Sequence, residues 1–165
     1  NNLNDYDYNV VISNQLNART AQQLSFGHES SLNNTSNLIT ADYVSYGMGI
    51  IAWRGARLTL SGYYESADES GGTLKEDTKQ YGFDVTLTHR LGEHLTLGLG
   101  YHYGDTDSDL LLRDYLQHSI TANLSYQVTS KWNVGLGYQY WKTDAEDPTQ
   151  TFTQNRVILS TNYNF

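Results

Sequence analysis

The sequence contains no cysteine and only one proline among its 165 residues. Without cysteine, the chain can form neither a disulfide framework nor a thiolate metal site. Charged residues are scarce at 17%, whereas aromatic residues reach 13%, which is the opposite of the composition of a disordered chain. The formal net charge of −8 argues against a nucleic-acid-binding protein, because such a protein needs a basic face.

Long apolar runs are also missing. No stretch approaches the roughly 20 residues of a membrane-spanning helix. No signal peptide opens the chain, so we expect either a cytoplasmic protein or one whose signal has been removed. The abundant residues are Tyr, Thr, Val, Leu and Asn, together with 14 glycines, and they favour strands and turns.

Apolar and polar residues alternate along nearly the whole chain. From Trp132 to Tyr140 every second residue is apolar or aromatic, and the residues between them are Asn, Gly and Gln. The same alternation runs through residues 81–91, 95–104 and 116–128. These runs exceed the roughly 5–6 residues of a typical soluble strand and suit a tilted membrane-spanning strand. The small polar face is typical of a wet barrel lumen rather than of a packed core.

The parity of the alternation predicts which side chains face lipid and which face the lumen. We expect the following side chains to face lipid: Val85, Leu87, Leu97, Leu99, Leu124, Val134, Leu136, Val157 and Leu159. We expect these residues to face the lumen: Gly98, Gly100, Thr121, Asn123, Asn133 and Gly135.

Turns and loops recur with a period of about 37 residues. Short turns are predicted at residues 17–20, 54–57, 92–94 and 129–131, and longer loops around residues 31–37, 67–78, 105–113 and 143–149. The short turns are mostly basic and the long loops are acidic. Short periplasmic turns and long extracellular loops are typical of outer-membrane barrels.

The predicted fold is all-β, an antiparallel up-and-down transmembrane β-barrel with about nine strands in residues 6–165. Residues 1–165 form one barrel domain of hairpin repeats, in which residues 1–17 supply an unpartnered first strand. Single-chain bacterial barrels normally have an even strand number, and an open sheet would leave unpaired edges in lipid. We therefore expect this chain to be part of a larger barrel. The alternative is an eight-stranded barrel with residues 1–17 as a tail or plug.

The last strand ends in Tyr163 and Phe165, with apolar residues at alternate positions before them. This segment resembles the C-terminal assembly signal of outer-membrane barrels, which implies recognition by the barrel-assembly machinery. More narrowly, the chain resembles the C-terminal half of outer-membrane barrel proteins encoded with exopolysaccharide and exosortase systems. That likeness lies in residues 21–29, 64–72 and 107–115, and it departs at residues 110–112, which are more apolar than expected. The chain is also similar, in its general pattern of strand and loop residues, to the porin partners of decahaem cytochromes.

These resemblances imply a protein of the Gram-negative outer membrane, in contact with membrane lipid and lipopolysaccharide. The expected function is a transport pathway, porin-like or for exopolysaccharide export, that carries a polysaccharide or small hydrophilic solutes. The alternative is a structural barrel that anchors or sheathes a partner, such as an electron-transfer cytochrome or an adhesin. A lumenal hydrolase is the third hypothesis. The sequence does not determine whether the protein forms an oligomer.

Several residues are candidate ligand contacts. Tyr63, Tyr115 and Trp141 have lumen parity near the loop side, where aromatic rings could stack on sugars. His102 also has lumen parity, and beside Asp84 or Glu65 it could act as a base. Arg90 and the two carboxylates could set the charge of the lumen. Because nothing in the sequence determines a catalytic pair, we expect no catalytic residues and no enzyme.

Asp105, Asp107 and Asp109 form an alternating acidic string. Carboxylates spaced in this way suit Ca²⁺, although the glycine and the distal glutamate of an EF-hand loop are missing. The alternative is a solvated acidic loop. No other cofactor is expected.

Overall fold

The computed structural model describes residues 6–32, 38–70, 76–110 and 113–163. All regular secondary structure within these ranges is β-strand, so they contain no helix that could cross a membrane. The nine strands are β1 (Tyr8–Asn17), β2 (Thr20–Leu32), β3 (Leu38–Trp53), β4 (Ala56–Ser70), β5 (Asp77–Arg90), β6 (Leu95–Ser108), β7 (Tyr115–Gln127), β8 (Trp132–Ala145) and β9 (Phe152–Tyr163).

The strands form one antiparallel sheet in which each strand pairs with its neighbour in sequence. This arrangement confirms the predicted all-β, up-and-down architecture with nine strands. Strand β1 pairs with β2 from Tyr8↔His28 to Asn17↔Thr20. Within the described ranges no pairing joins β1 to β9, so the sheet has two open edges. Residues 1–5 of the predicted first strand lie outside the described residues.

The register sorts the side chains onto two faces, since directly paired residues share a face of the sheet. Leu87, Leu99 and Ala122 form one continuous cross-strand row. The adjacent row of opposite parity contains Gly100 and Thr121. All nine residues predicted to face lipid share the first face, called here the outer face. All six residues predicted to face the lumen share the second, called the inner face.

The sheet has no packed hydrophobic core. Among the described residues, the only buried hydrophobic side chains are Ala41 and Ala56. Large apolar residues such as Leu136 and Leu159 are instead exposed. A single layer with an apolar outer face and a polar inner face is the structure expected of a barrel wall in lipid.

The short turns lie where the sequence predicts them. Residues 54 and 55 link β3 to β4, and Gly55 has a φ of 79°, a left-handed conformation that favours glycine. The Gly55 carbonyl accepts a 2.7 Å hydrogen bond from the backbone N–H of Arg90, which joins neighbouring turns. The turn side of the sheet is therefore tied together by its backbone.

The strands extend further into the predicted loops than expected. Asp68 lies in β4, Asp105 and Asp107 lie in β6, and Asp144 lies in β8. Ladder pairing continues beyond the aromatic residues and satisfies backbone groups there, so these acidic residues belong to strand ends. The acidic segments predicted as loops are thus partly strand.

Candidate functional site

The inner face of β4 to β7 brings together four of the predicted ligand residues. Asp84 of β5 pairs directly with His102 of β6. One residue pair closer to the loop side on this face, Tyr63 of β4 pairs with Gly82 of β5, and Gly82 pairs with Gly104 of β6. Tyr115 projects from the same face of β7. This register places aromatic, acidic and imidazole groups on one part of the wall.

Asp84 and His102 form the central contact of this cluster. The distance between Asp84 Oδ1 and His102 Nδ1 is 2.8 Å. Because a carboxylate only accepts hydrogen bonds, Nδ1 carries the proton and donates it, which leaves the Nε2 lone pair as an acceptor in the neutral ring. The two side chains are 46% and 30% exposed, so a solute in the lumen can reach them. The pair therefore presents an oriented base to the lumen.

Two glycines make room for the ring of Tyr63. A Cβ atom at Gly82 would lie 2.8 Å from Cε1 and 2.9 Å from Cζ of Tyr63. A Cβ atom at Gly104 would lie 3.4 Å from the Tyr63 hydroxyl and 3.2 Å from His102 Nε2. The absence of side chains at both positions lets the phenol reach across β5 towards the imidazole.

Other polar residues surround this centre. Asp84, Tyr115 and Glu65 all lie within electrostatic range of the Tyr63 phenol. Ser119 of β7 pairs with His102 on the side away from Asp84. Ser119 is only 8% exposed. The cluster thus consists of two aromatic rings, two carboxylates and one imidazole, with a buried hydroxyl beside it.

The remaining predicted ligand residues lie apart. Trp141 pairs with Ser119 and so lies two strands from His102, and its Nε1 donates a 3.1 Å hydrogen bond to the Thr143 hydroxyl. Arg90 ends β5 at the turn side, where its guanidinium donates to the carbonyls of Gly92 (3.2 Å) and Glu93 (3.1 Å). Arg90 therefore braces a turn and is not part of the cluster.

Sequence reasoning missed two inner-face cations. Arg57 of β4 belongs to the inner row that contains Thr88, and Arg156 of β9 pairs with the inner-face residue Gln139. The alternation alone could have placed both residues inside. It could not have placed the glycines under Tyr63, since that contact depends on pairing between strands.

Asp105 and Asp107 of the acidic string lie on the outer face of β6, and Asp109 follows the strand. Asp105 Oδ2 accepts hydrogen bonds from the hydroxyls of Tyr81 (2.6 Å) and Tyr103 (3.3 Å). Asp109 Oδ1 accepts a 2.8 Å hydrogen bond from the backbone N–H of Asp77. In the part of the chain that the structure describes, no three acidic or histidine side chains are grouped so that they could hold a metal ion. Through these tyrosine and backbone contacts, Asp105 and Asp109 brace the loop end of the wall.

The predicted assembly signal is described only in part. Tyr163 pairs with Trp132 on the outer face. Phe165 lies outside the described residues, as do residues 111 and 112 of the apolar stretch.

Comparison with known proteins supports the fold. No family model and no curated protein matches the sequence. Among solved structures, the loop L8 deletion mutant of OmpT, an outer membrane protein of Vibrio cholerae, matches 94% of this chain with a TM-score of 0.72 and 14% identity. Outer-membrane expressed OmpT of the same organism matches 95% of the chain with a TM-score of 0.70 and 14% identity. LpxR from Salmonella typhimurium, at 9% identity and a TM-score of 0.41, covers 95% of this chain and 77% of its own, and is too different to support an argument.

The chain has the β-barrel-wall fold of the outer-membrane proteins it matches. It spans 52% and 55% of the two OmpT structures, about half the length of the proteins it matches. At these identities the similarity establishes the barrel fold, and it does not distinguish the exopolysaccharide-associated barrels from others.

One expectation from the sequence is corrected here, namely that the protein is not an enzyme. The structures it matches are outer-membrane barrels, and that fold does not exclude catalysis. The sequence argument was that no catalytic pair could be identified, but the register brings Asp84 and His102 into hydrogen-bond contact, the kind of pair that was expected to be missing. The exclusion of an enzyme therefore does not hold.

Proposed function

We propose that the chain forms part of the wall of a wide outer-membrane barrel whose lumen carries hydrophilic solutes. The observation that supports this function is the presence of glycines at one level of the inner face of β6 and β8. Gly98 pairs with Asn123, and Asn123 pairs with Gly137, so that β6 and β8 carry no side chain at this level, and the bulky residues of the row, Arg57 and Ile158, lie further along it. A narrow barrel fills its interior with side chains, whereas this lining leaves open volume.

A recess on the inner side of β1 to β4 adds to this picture. Its volume is about 560 Å³, and its lining includes Gly47, Gly49, Arg57 and Thr59. A Cβ atom at Gly47 would have no neighbouring atom closer than 4.0 Å, so the wall is open there. Polar groups and free space along the wall are the features that a hydrated pathway requires.

The length of the matched structures bears on the width of the lumen. This chain supplies nine strands and spans about half of each OmpT structure. Barrel diameter grows with strand number, so a wall completed by a comparable number of further strands encloses an aqueous channel. We infer that the two open edges pair with strands outside this sequence.

The chemistry of the Tyr63 cluster favours saccharides or similar polyols among hydrophilic solutes. Tyr63 and Tyr115 offer rings for stacking, and Glu65 and Asp84 offer acceptors for sugar hydroxyls. We propose an exopolysaccharide or its fragments as the solute, on the strength of this chemistry and of the sequence resemblance.

Conductance measurements test the pathway. Gly98→Phe and Gly47→Phe place a ring in the lumen without a severe clash, since a Cβ atom at Gly98 has its nearest neighbour at 3.8 Å. We expect both variants of the full-length protein to lower single-channel conductance in planar bilayers. Gly62→Phe is the matched control, because Gly62 pairs with the outward-facing Phe83.

The outcome distinguishes transport from an anchoring role. Wild-type protein that inserts into the bilayer but conducts no ions would reject the pathway and favour a structural barrel. Equal conductance loss in the inward and outward variants would instead show that the phenylalanines act by disturbing the fold. Permeation of oligosaccharides of increasing size into liposomes then tests the solute class.

A further inference from the structure

The space above Gly104 is bounded by two polar groups, the imidazole of His102 and the phenol of Tyr63. The ideal Cβ position of Gly104 lies 3.2 Å from His102 Nε2 and 3.4 Å from the Tyr63 hydroxyl oxygen. Because glycine has no Cβ, the space is open to a water that contacts Nε2 and to an acyl oxygen that contacts the phenol, both at hydrogen-bonding distance. Gly104 itself is buried, so its backbone closes the outer side of this space.

We propose that this part of the inner face is a hydrolytic site for carboxylic esters carried by hydrophilic solutes. His102 Nε2 acts as the general base, Tyr63 donates to the developing oxyanion, and Asp84 positions the imidazole. The inference goes beyond the transport function and does not depend on it, since the ester needs only to reach the lumen and not to cross the membrane.

The reaction consumes one water and needs no other reactant. His102 Nε2 removes a proton from the water while its oxygen bonds to the acyl carbon, and the carbonyl electron pair moves onto oxygen. The Tyr63 hydroxyl donates a hydrogen bond to that oxyanion. When the C–O bond to the leaving group breaks, the imidazolium returns the proton to the departing alkoxide. The products are a carboxylic acid and an alcohol.

Asp84 has a specific part in this scheme. Its 2.8 Å contact with Nδ1 holds the ring in the tautomer whose Nε2 lone pair is available. The carboxylate also stabilises the imidazolium that forms when His102 takes up the proton. Asp84 is therefore a positioning residue, acting through His102 and not on the substrate itself.

The geometry favours water as the nucleophile over Ser119. His102 Nε2 lies above Gly104 of its own strand, whereas Ser119 lies opposite His102 on β7. Ser119 is also buried, so its hydroxyl offers little surface to a solute. One oxyanion donor and a partly exposed base suit esters better than amides, because an alkoxide is the easier leaving group.

Hydrolysis assays on the full-length protein in detergent micelles test the proposal. The probes are p-nitrophenyl acetate and an O-acetylated oligosaccharide, with background hydrolysis subtracted. We expect His102→Gln to lower kcat/KM by about 10²- to 10⁴-fold, the range for a general base. Tyr63→Phe is expected to lower kcat by about 10²-fold, as for one oxyanion donor, with KM nearly unchanged.

Three further variants make the test specific. Asp84→Asn should reduce kcat through the wrong tautomer, and Asp84→Glu should restore part of it. Ser119→Ala should leave the rate within about twofold, because it removes neither the base nor the donor. His118→Gln is the matched control, since its imidazole contacts Tyr101 on the outer face.

Several outcomes would overturn the inference. Turnover of neither ester by the folded wild type, judged by its barrel circular-dichroism spectrum and heat-modifiable gel mobility, would reject the activity. Equal rates for wild type and His102→Gln would reject the site. A loss in Ser119→Ala as large as that in His102→Gln, with a burst of p-nitrophenol, would replace the water mechanism with an acyl-enzyme mechanism.

Discussion

The ring of Tyr63 occupies the space that a side chain at Gly82, its partner across the β4–β5 pair, would require. A Cβ atom at Gly82 would lie within 3 Å of two ring atoms of Tyr63 and 2.4 Å from the Tyr103 carbonyl oxygen. The same relationship recurs between Tyr43 and Gly27, where a Cβ atom would lie 2.6 Å from the phenol oxygen. In both pairs, an inward tyrosine is supported by the glycine opposite it.

Replacing Gly82 with alanine should therefore destabilise the wall. The new methyl group meets backbone as well as ring atoms, so relaxation cannot be confined to a flexible side chain. We expect a loss of about 1–3 kcal/mol in the free energy of unfolding, the usual range for overpacking. Urea-dependent unfolding of the protein refolded into lipid vesicles measures it.

Gly62→Ala provides the comparison for this variant. A Cβ atom at Gly62 has its nearest neighbour at 3.6 Å, an ordinary contact distance. Stability should change by only a few tenths of a kcal/mol. Equal losses for Gly82→Ala and Gly62→Ala would show that the tyrosine contact does not matter and that glycine is needed only for its backbone.

An arginine placed on the two faces should distinguish lipid from lumen. Leu99 lies on the outer face and Thr121 on the inner face of neighbouring strands. Leu99→Arg should cost about 2–4 kcal/mol if this position lies near the bilayer midplane, and Thr121→Arg should cost far less. Reversible unfolding in vesicles measures both changes, and similar costs would contradict the assignment of the faces.

The inner face is basic on the turn side and acidic towards the loops. Arg57 lies over Gly49, with a guanidinium nitrogen 3.2 Å from the ideal Cβ position there, whereas Asp84 lies closer to the loops. Arg57→Gln should shift the reversal potential in a salt gradient towards cations, and Asp84→Asn should shift it towards anions. Lys131→Gln, on a turn outside the strands, is the control and should leave selectivity unchanged.

The loop between β8 and β9 contains one carboxyl group with an altered pKa. The backbone N–H of Thr149 (2.9 Å) and its hydroxyl (2.8 Å) both donate to Asp147 Oδ1, and these bonds lower the pKa of Asp147. Because the pKa of Asp147 is lowered in the folded state, its ionised carboxylate stabilises the fold, and this stabilisation is fully present above the ordinary pKa of aspartate. It is lost as the pH falls through the lowered value.

Thr149→Val removes the hydroxyl donor and keeps the backbone donor. The pKa of Asp147 should then rise towards its ordinary value without reaching it. Carboxyl-carbon NMR titration measures the shift. An unchanged pKa would mean that the backbone N–H of Thr149 and the side chain of Gln150, which also donates to Asp147 (3.3 Å), account for the effect.

The strands and their two faces were predictable because the information is local. The alternation of Leu97 and Leu99 with Gly98 defines a strand and its two faces without knowledge of any partner. The strand ends were harder to predict. Asp105 and Asp107 were expected in a loop because acidic residues are common in loops, but here pairing with β5 extends the strand through them.

The Asp84–His102 contact could be suspected from parity but not established. It requires the β5–β6 register, which is determined by the turn at residues 91–94 and by the pairing of both strands. A shift of one residue would turn His102 to the outer face. The support of Tyr63 by Gly82 and Gly104 depends on two such registers at once, and so no local pattern reveals it.

By itself, then, the amino-acid sequence determined a nine-stranded antiparallel wall, its apolar and polar faces and the positions of its turns. These features follow from the period of two along each strand and from local turn chemistry. Tertiary structure decided which side chains meet. The imidazole, phenol and carboxylate of His102, Tyr63 and Asp84 come from three strands. Their distances depend on hydrogen-bonded register between strands, which is a property of the whole sheet.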